Sequence, residues 1–254
     1  AAHGGSAADL GAAHRRRGLA QHGEALLDGG VEDHPEAAVA PEALYEAAGD
    51  LHALARVRLL AGATVLDGAA RRRKILDACD LLTGPLGQPE EAVAALCGLA
   101  DEDPADLEVA ARVESVLEGL GRWEDLVVHL DRKIDALTAE APRAQAQLDR
   151  ARLRLGPLDQ LAGAVGELLD LLDSPPEVAA EARASLFDAL EGEFLPADLD
   201  ASALDGLEAW YGAHQDTPGL PRVRVLQARR THAGVDRAAL LREAARLLLA
   251  QGSD

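Results

Sequence analysis

Residues 73–104 read RKILDACDLLTGPLGQPEEAVAALCGLADEDP. The opening ten residues place Ile75, Leu76, Cys79 and Leu82 at the spacing of one helical face. The run TGPLGQP then breaks the periodicity with two Gly and two Pro. Pro89 followed by Glu90 and Glu91 opens a second helix. Pro loses nothing in a first turn, where its missing N–H would have no partner, and carboxylates there face the positive end of the helix dipole. DEDP closes that helix at 101–104, and Asp103 or Asp106 is placed to cap the next one. Two helices joined by so short a turn lie antiparallel, so the stretch reads as a helical hairpin.

The same grammar extends both ways. Upstream, PEALYEAAGDLHALARVRLLAG reads helix, Gly49 turn, helix. Downstream, 107–119 is a helix, Gly121 turns the backbone, and Trp123 to Leu137 is a helix with Val127, Leu130 and Ile134 along one face. Sliding the sequence by 72 residues brings Gly49 onto Gly121, Leu54 onto Leu126, Leu76 onto Leu148, and Gly84, Pro85, Leu86 onto Gly156, Pro157, Leu158. The matches fall on turn and core residues, which a structural repeat preserves. Past Pro157 the register slips, so later copies carry insertions; Leu117, Glu118, Gly119 still match Leu190, Glu191, Gly192. The expected organisation is an N-terminal helix and loop over 1–34, hairpins over 35–175, and divergent hairpins or a cap over 176–254. Within these, helices are expected around Ala7–Leu27 and over 235–250.

Composition agrees. Hydrophobic residues make up 48% of 254 positions but aromatics only 2%, because Ala and Leu dominate. Both are strong helix formers, and strand-favouring residues are scarce. The expected fold is therefore all-α, an α-solenoid of stacked antiparallel hairpins. A single Ala- and Leu-rich hairpin cannot bury both its faces, so neighbours must cover it.

The stretch LLTGPLGQPEEAVAALCGLADEDP, with Ala92 as the small residue of its second helix and Pro104 at its close, resembles a tetratricopeptide repeat. LEGLGRWEDL and LYEAAGDLHAL resemble the same turn, at Gly121 to Trp123 and Gly49 to Leu51. The resemblance is degenerate, since Leu54 and Leu126 stand where the family has a small residue. It implies a right-handed superhelix whose first helices line a concave groove that binds peptides or protein segments.

Catalytic and cofactor motifs are missing from the sequence. None of the eight histidines forms HExxH, no CxxC occurs, and both lysines, Lys74 and Lys133, follow Arg rather than sit in a Gly-Lys-Ser/Thr loop. No GxSxG elbow is present. The expectation is a non-enzyme with no cofactor and no metal. Asp77 with Asp80 and Asp170 with Asp173 have ligand-like spacing but read as solvated faces, and Cys79 with Cys97 as core residues of one hairpin. Trp123 reads as packing between helices, as do Trp210 and Tyr211, whose adjacency leaves one of the two exposed.

The net charge of −19 has the wrong sign for nucleic acid, which draws on clustered positive charge. No apolar run of about 18 residues occurs, so no membrane insertion is expected. No Met occurs, so residue 1 is expected to be an internal or processed position. With no signal-peptide pattern in AAHGGSAADL, the cytoplasm is the expected location. Basic clusters at Arg15 to Arg17, Arg71 to Lys74 and Arg222 to Arg230 read as salt-bridged surface. Arg143, Arg150 and Arg154 differ: spaced seven and four apart, they share one face of a first helix. By the resemblance that face lines the groove, and Lys74 takes a comparable place two hairpins earlier. Guanidinium forks bind carboxylates bidentately, so an acidic peptide or the C-terminus of another protein is the expected occupant. The competing reading is that Glu108 and Glu118 neutralise these arginines.

Three function classes follow, in this order: a protein-interaction scaffold; a self-associating structural module, for which the Leu-rich 240–249 is the feature to watch; and an all-α enzyme or ligand sensor with a site between helices.

Overall fold

The computed structural model describes residues 36–192, 195–214, 219–231 and 234–251. The expected helix around Ala7–Leu27 and the Arg15 to Arg17 cluster lie outside them. Twelve α-helices and no strand occur among the described residues. The protein divides after Arg122 into two compact units. The first holds α1 (Glu36–Ala48), α2 (Leu51–Thr64), α3 (Gly68–Thr83), α4 (Pro89–Glu102) and α5 (Leu107–Gly119). The second holds α6 (Trp123–Ala136), α7 (Glu140–Leu155), α8 (Leu161–Asp170), a 3₁₀ turn (Leu171–Asp173), α9 (Pro176–Glu191), α10 (Ala197–His214), α11 (Leu220–Arg230) and α12 (Gly234–Gln251). The division falls inside the hairpin expected at 107–137, whose helices α5 and α6 belong to different units.

Within each unit, helices adjacent in sequence pack together. In the second unit α7 also packs on α9 and α8 on α10, the pattern made when one hairpin is stacked on the next. Acidic caps fix several helix starts. Asp50 accepts from Ala53 N at 3.1 Å, and Asp67 accepts from Ala69 N and Ala70 N at 2.9 and 3.1 Å. Of the two candidates at the start of α5, Asp106 is the cap, accepting from Glu108 N and Val109 N at 3.0 and 3.1 Å. Pro89 and Pro176 open α4 and α9.

The 72-residue offset is visible in the backbone. Gly49 and Gly121 turn with φ of 68° and 67°, and Gly49 N and Gly121 N donate to Glu46 O and Glu118 O at 3.1 and 3.0 Å. After α3, Gln88 N donates to Leu82 O at 2.7 Å; after α7, Gln160 N donates to Arg154 O at the same distance. Gly87 holds φ 61° in the first of these turns, and Asp159 holds φ 52° in the second. A short Asx side chain is among the few that tolerate the left-handed region.

The cores are Leu and Ala. Leu82, Leu96 and Leu117 are fully buried in the first unit, and Leu148, Leu168, Leu186 and Leu207 in the second. Ala55, Ala78, Ala92, Ala151, Ala164 and Ala182 have no exposed surface, so small side chains sit where helices cross and let their axes approach. On α6 the buried stripe is Leu126, His129, Leu130 and Ile134, while Val127, expected on it, is half-buried. Leu54 and Leu126 are both buried where the repeat family has a small residue. Cys79 is buried and Cys97 half-buried, and neither is in a disulfide.

Candidate partner-binding surfaces

The four cations singled out in the sequence have different surroundings. Lys74 belongs to the first unit, where its Nζ lies 2.6 Å from Glu42 Oε1 on α1. The other three lie on α7 in the second unit. Arg150 Nη2 is 3.1 Å from Glu167 Oε1 on α8, its Nε donates to Glu167 Oε2 at 3.3 Å, and Nη1 reaches Asp131 on α6. Arg154 pairs with the same Glu167. Burial works against the Arg150 charge, but Asp131 and Glu167 outweigh it and hold the guanidinium above its ordinary pKa. The carboxylates expected to neutralise these arginines were Glu108 and Glu118. Glu167 and Asp131 do so instead, because a four-residue spacing on α7 points both side chains at the returning helix of their own hairpin. Arg143 is exposed and has no ion pair among the described residues.

In the first unit, ion pairs link alternate helices. Arg72 on α3 donates from Nε to Oδ2 of Asp106, the cap of α5, at 2.6 Å and from Nη2 to Glu108 Oε2 on α5 at 2.5 Å. Arg112 on α5 returns to Asp80 on α3, with Glu108 Oε1 3.6 Å from its Nη2. With Lys74 and Glu42, these contacts join α1, α3 and α5 into one row. The Arg72 hydrogen bond holds the Asp106 carboxyl below the usual carboxylate range despite partial burial. Beside this row lies a crevice of about 370 Å³ lined by Cys79, Asp80, Thr83, Leu96, Arg112 and Val116 among others. Burial, with Asp80 beside it, pushes the Cys79 thiol up to about 11.

The second unit carries two further crevices. One, of about 560 Å³ between α10 and α11, is lined by Asp200, Leu204, Asp205, Gln227, Arg230 and Thr231 among others. Asp200 is 7% exposed; one oxygen accepts from Arg230 Nε and the other has no hydrogen-bond partner among the described residues. The other crevice, of about 580 Å³, lies among the 3₁₀ turn, α9 and α10, and includes Leu172, Asp173, Pro176, Arg183, Trp210 and His214. Trp210 Nε1 donates to Asp173 Oδ1 at 3.0 Å, the His214 ring stacks on the indole at 4.4 Å, and the Arg183 guanidinium carbon lies 4.4 Å from its centroid. Tyr211 is the buried member of the aromatic pair and Trp210 the accessible one. Sequence reasoning reaches Trp210 but not its companions. The i, i+4 spacing of Trp210 and His214 was the available signal, while Asp173 and Arg183 come from other elements.

The remaining basic residues of the sequence clusters are largely paired: Arg71 with Glu102, Arg222 with Glu191 and Arg224 with Glu208 at 2.6, 2.7 and 2.7 Å. Among the described residues no group of three or more His, Cys, Asp or Glu is placed to hold a metal ion, and no helix is long and apolar enough to cross a membrane. No protein-family model matches the sequence, and no curated protein matches it.

Proposed function

We propose that this protein is a non-catalytic protein-interaction scaffold of tetratricopeptide-like hairpins, taking a partner segment along the face of its first helices. The supporting observation is the row of ion pairs across α1, α3 and α5. A helix row cross-linked by carboxylates and guanidiniums is held rigid before any partner arrives, and a preformed surface loses little entropy on binding. The adjoining crevice supplies apolar contact at Ala111 and Val116 beside a charged rim of Asp80, Glu108 and Arg112. Neither cysteine is in a disulfide, which suits a reducing compartment, so a cytoplasmic setting is part of the proposal. The test is a photo-cross-linker at exposed Ser115, paired with Ala111→Arg to fill the crevice. A partner cross-linked at Ser115 and lost on Ala111→Arg supports the reading; capture indifferent to that substitution overturns it.

A second reading, self-association, draws on α12. Only Ala244 is buried on this helix, while Val235, Leu241, Leu248 and Leu249 are 80, 43, 55 and 73% exposed. Arg237, Arg242 and Arg246 flank them on a protein of net charge −19, so the acidic surface of a second copy complements this face. Sedimentation at micromolar concentration tests it: a dimer dispersed by Leu248→Glu supports self-association, and a monomer removes it.

A further inference from the structure

We propose that the Trp210 crevice receives the C-terminal carboxylate of a partner protein that ends in an apolar residue. The inference deepens the scaffold reading and rests on it only for the premise that a partner protein is bound.

The first observation is an uncompensated charge. Acidic residues outnumber basic ones 44 to 25, and the half-buried arginines of this fold are largely matched to carboxylates, as Arg72, Arg150, Arg154 and Arg224 show. Arg183 on α9 is half-buried against an indole and has no carboxylate partner among the described residues. A guanidinium withdrawn from water without a counter-charge is costly, and an anion bound beside it recovers that cost. Acid recognition, which the sequence assigned to Arg150 and Arg154, fits Arg183 better, because Glu167 already occupies those two.

The second observation is how firmly the surroundings are held. The indole N–H is fixed by Asp173, its edge meets the Tyr211 ring at 5.2 Å, and His214 stacks on it with Nδ1 3.0 Å from Trp210 O. Trp and Arg are among the residue types most enriched at the hot spots that carry binding energy in protein interfaces. Exposed Pro176, with buried Leu172 and Ala179 behind it, adds an apolar wall. Pro176 begins α9, so the positive end of that helix dipole also faces an incoming anion. A volume of about 580 Å³ falls within the range of roughly 300–1,000 Å³ typical of ligand sites.

Asp173 selects among carboxylates. Its exposed side chain stands on the same rim, so a segment with several acidic side chains meets repulsion there. A polypeptide terminus brings one carboxylate for Arg183, one amide N–H for the remaining lone pairs of Asp173, and one side chain for the apolar wall. Those three groups match the three kinds of surface in the crevice.

Fluorescence anisotropy on the full-length protein tests this. The probes are fluorescein-labelled hexapeptides ending in Ala, Val, Leu or Phe, each as free acid and as C-terminal amide, with a Glu-rich amidated hexapeptide alongside. At least one free acid is expected to bind, at least tenfold tighter than its amide. Arg183→Gln is expected to weaken that binding at least tenfold with helicity and melting unchanged, while Arg143→Gln leaves it unaltered. Equal binding of acid and amide, indifference to Arg183→Gln, stronger Arg183-dependent binding of the Glu-rich probe, or no binding at all each overturns the proposal. The Ser115 cross-link is read separately, so the scaffold reading stands or falls on its own result.

Discussion

Replacing Gly62 with Ala sets two physical effects against each other. Gly62 is buried in α2, and a Cβ built on it would lie 2.6 Å from Ile75 Cγ1 and 3.3 Å from Ile75 Cδ1 on α3. In a helix free of neighbours, Gly→Ala stabilises by about 0.5–1 kcal/mol, because Gly loses more backbone freedom on folding. Here the added methyl falls about 1 Å inside the optimal carbon separation of roughly 3.5–4.0 Å. Ile75 is only 7% exposed and β-branched, so its χ1 is confined to one helical rotamer and Cγ1 cannot swing aside. The helices must part, and overpacking of this kind costs about 1–3 kcal/mol. The expected net effect is destabilisation of about 1–2 kcal/mol. Gly98 is the control: it is an exposed glycine of α4 with nothing within 4 Å of its would-be Cβ, so Gly98→Ala is expected to stabilise by about 0.5–1 kcal/mol. Urea unfolding followed by circular dichroism reads both. In an Ile75→Ala background the obstacle is gone, and Gly62→Ala is expected to become stabilising, giving a coupling of more than about 1 kcal/mol in the double-mutant cycle. If Gly62→Ala stabilises the wild-type protein as Gly98→Ala does, α2 and α3 are not in such close contact and the reasoning fails.

Three further outcomes are expected. Glu167→Ala leaves Arg154 without its carboxylate and Arg150 with Asp131 alone, in a site where the Glu167 side chain is 16% exposed; a loss of about 2–3 kcal/mol is expected, and a change under about 0.5 kcal/mol would contradict the pairing. Asp106 caps α5 and pairs with Arg72, so its folded pKa is depressed. Its contribution is therefore present above the unfolded carboxylate value of about 3.9 and lost as pH falls through the lower folded one. The stability gap between wild type and Asp106→Asn should be constant above about pH 5 and close at lower pH; a gap that widens on acidification would reverse the sign. Cys79, pushed up to about 11 by burial, should resist iodoacetamide at pH 8 until urea is added, and peptide mass spectrometry showing equal labelling in both conditions would argue against its buried position.

The fold was legible where backbone geometry demands a residue type. Gly49, Gly87 and Gly121 adopt positive φ, which few side chains tolerate, so the turns announced themselves and helix ends followed to within a few residues. Asp159 shows the converse: it keeps the backbone of Gly87 without its glycine, so the turn persists where the sequence match fades. The orientation of α6 was not legible. Leu126, Val127, Val128 and Leu130 are all apolar, and stripes beginning at 126 or at 127 both satisfy helical period. Packing chose the stripe that buries His129 and leaves Val128 49% exposed, an outcome decided by how α6 meets α7 once their hairpin closes.

The site was less legible for a related reason. Spacing along a helix reveals which residues share a face but not what that face meets. Arg150 and Arg154 do share one, yet Glu167 comes from beyond the turn at Gly156, and the acid that neutralises an arginine is defined only once the hairpin has closed. With 44 acidic residues in the sequence, almost any arginine has a carboxylate a few positions away, so nearness in sequence says little about charge compensation. The informative quantity is which cations remain without a partner after folding, weighted by burial. Exposed Arg143 can be satisfied by water and exerts little demand for a ligand. Half-buried Arg183, stacked on Trp210 with no carboxylate among the described residues, exerts much more. Half-buried Arg58 on α2 likewise has no carboxylate among the described residues, but only at Arg183 does such a cation stand in a crevice beside an indole, on α9 and α10, where neither residue spacing nor the repeat register directed attention.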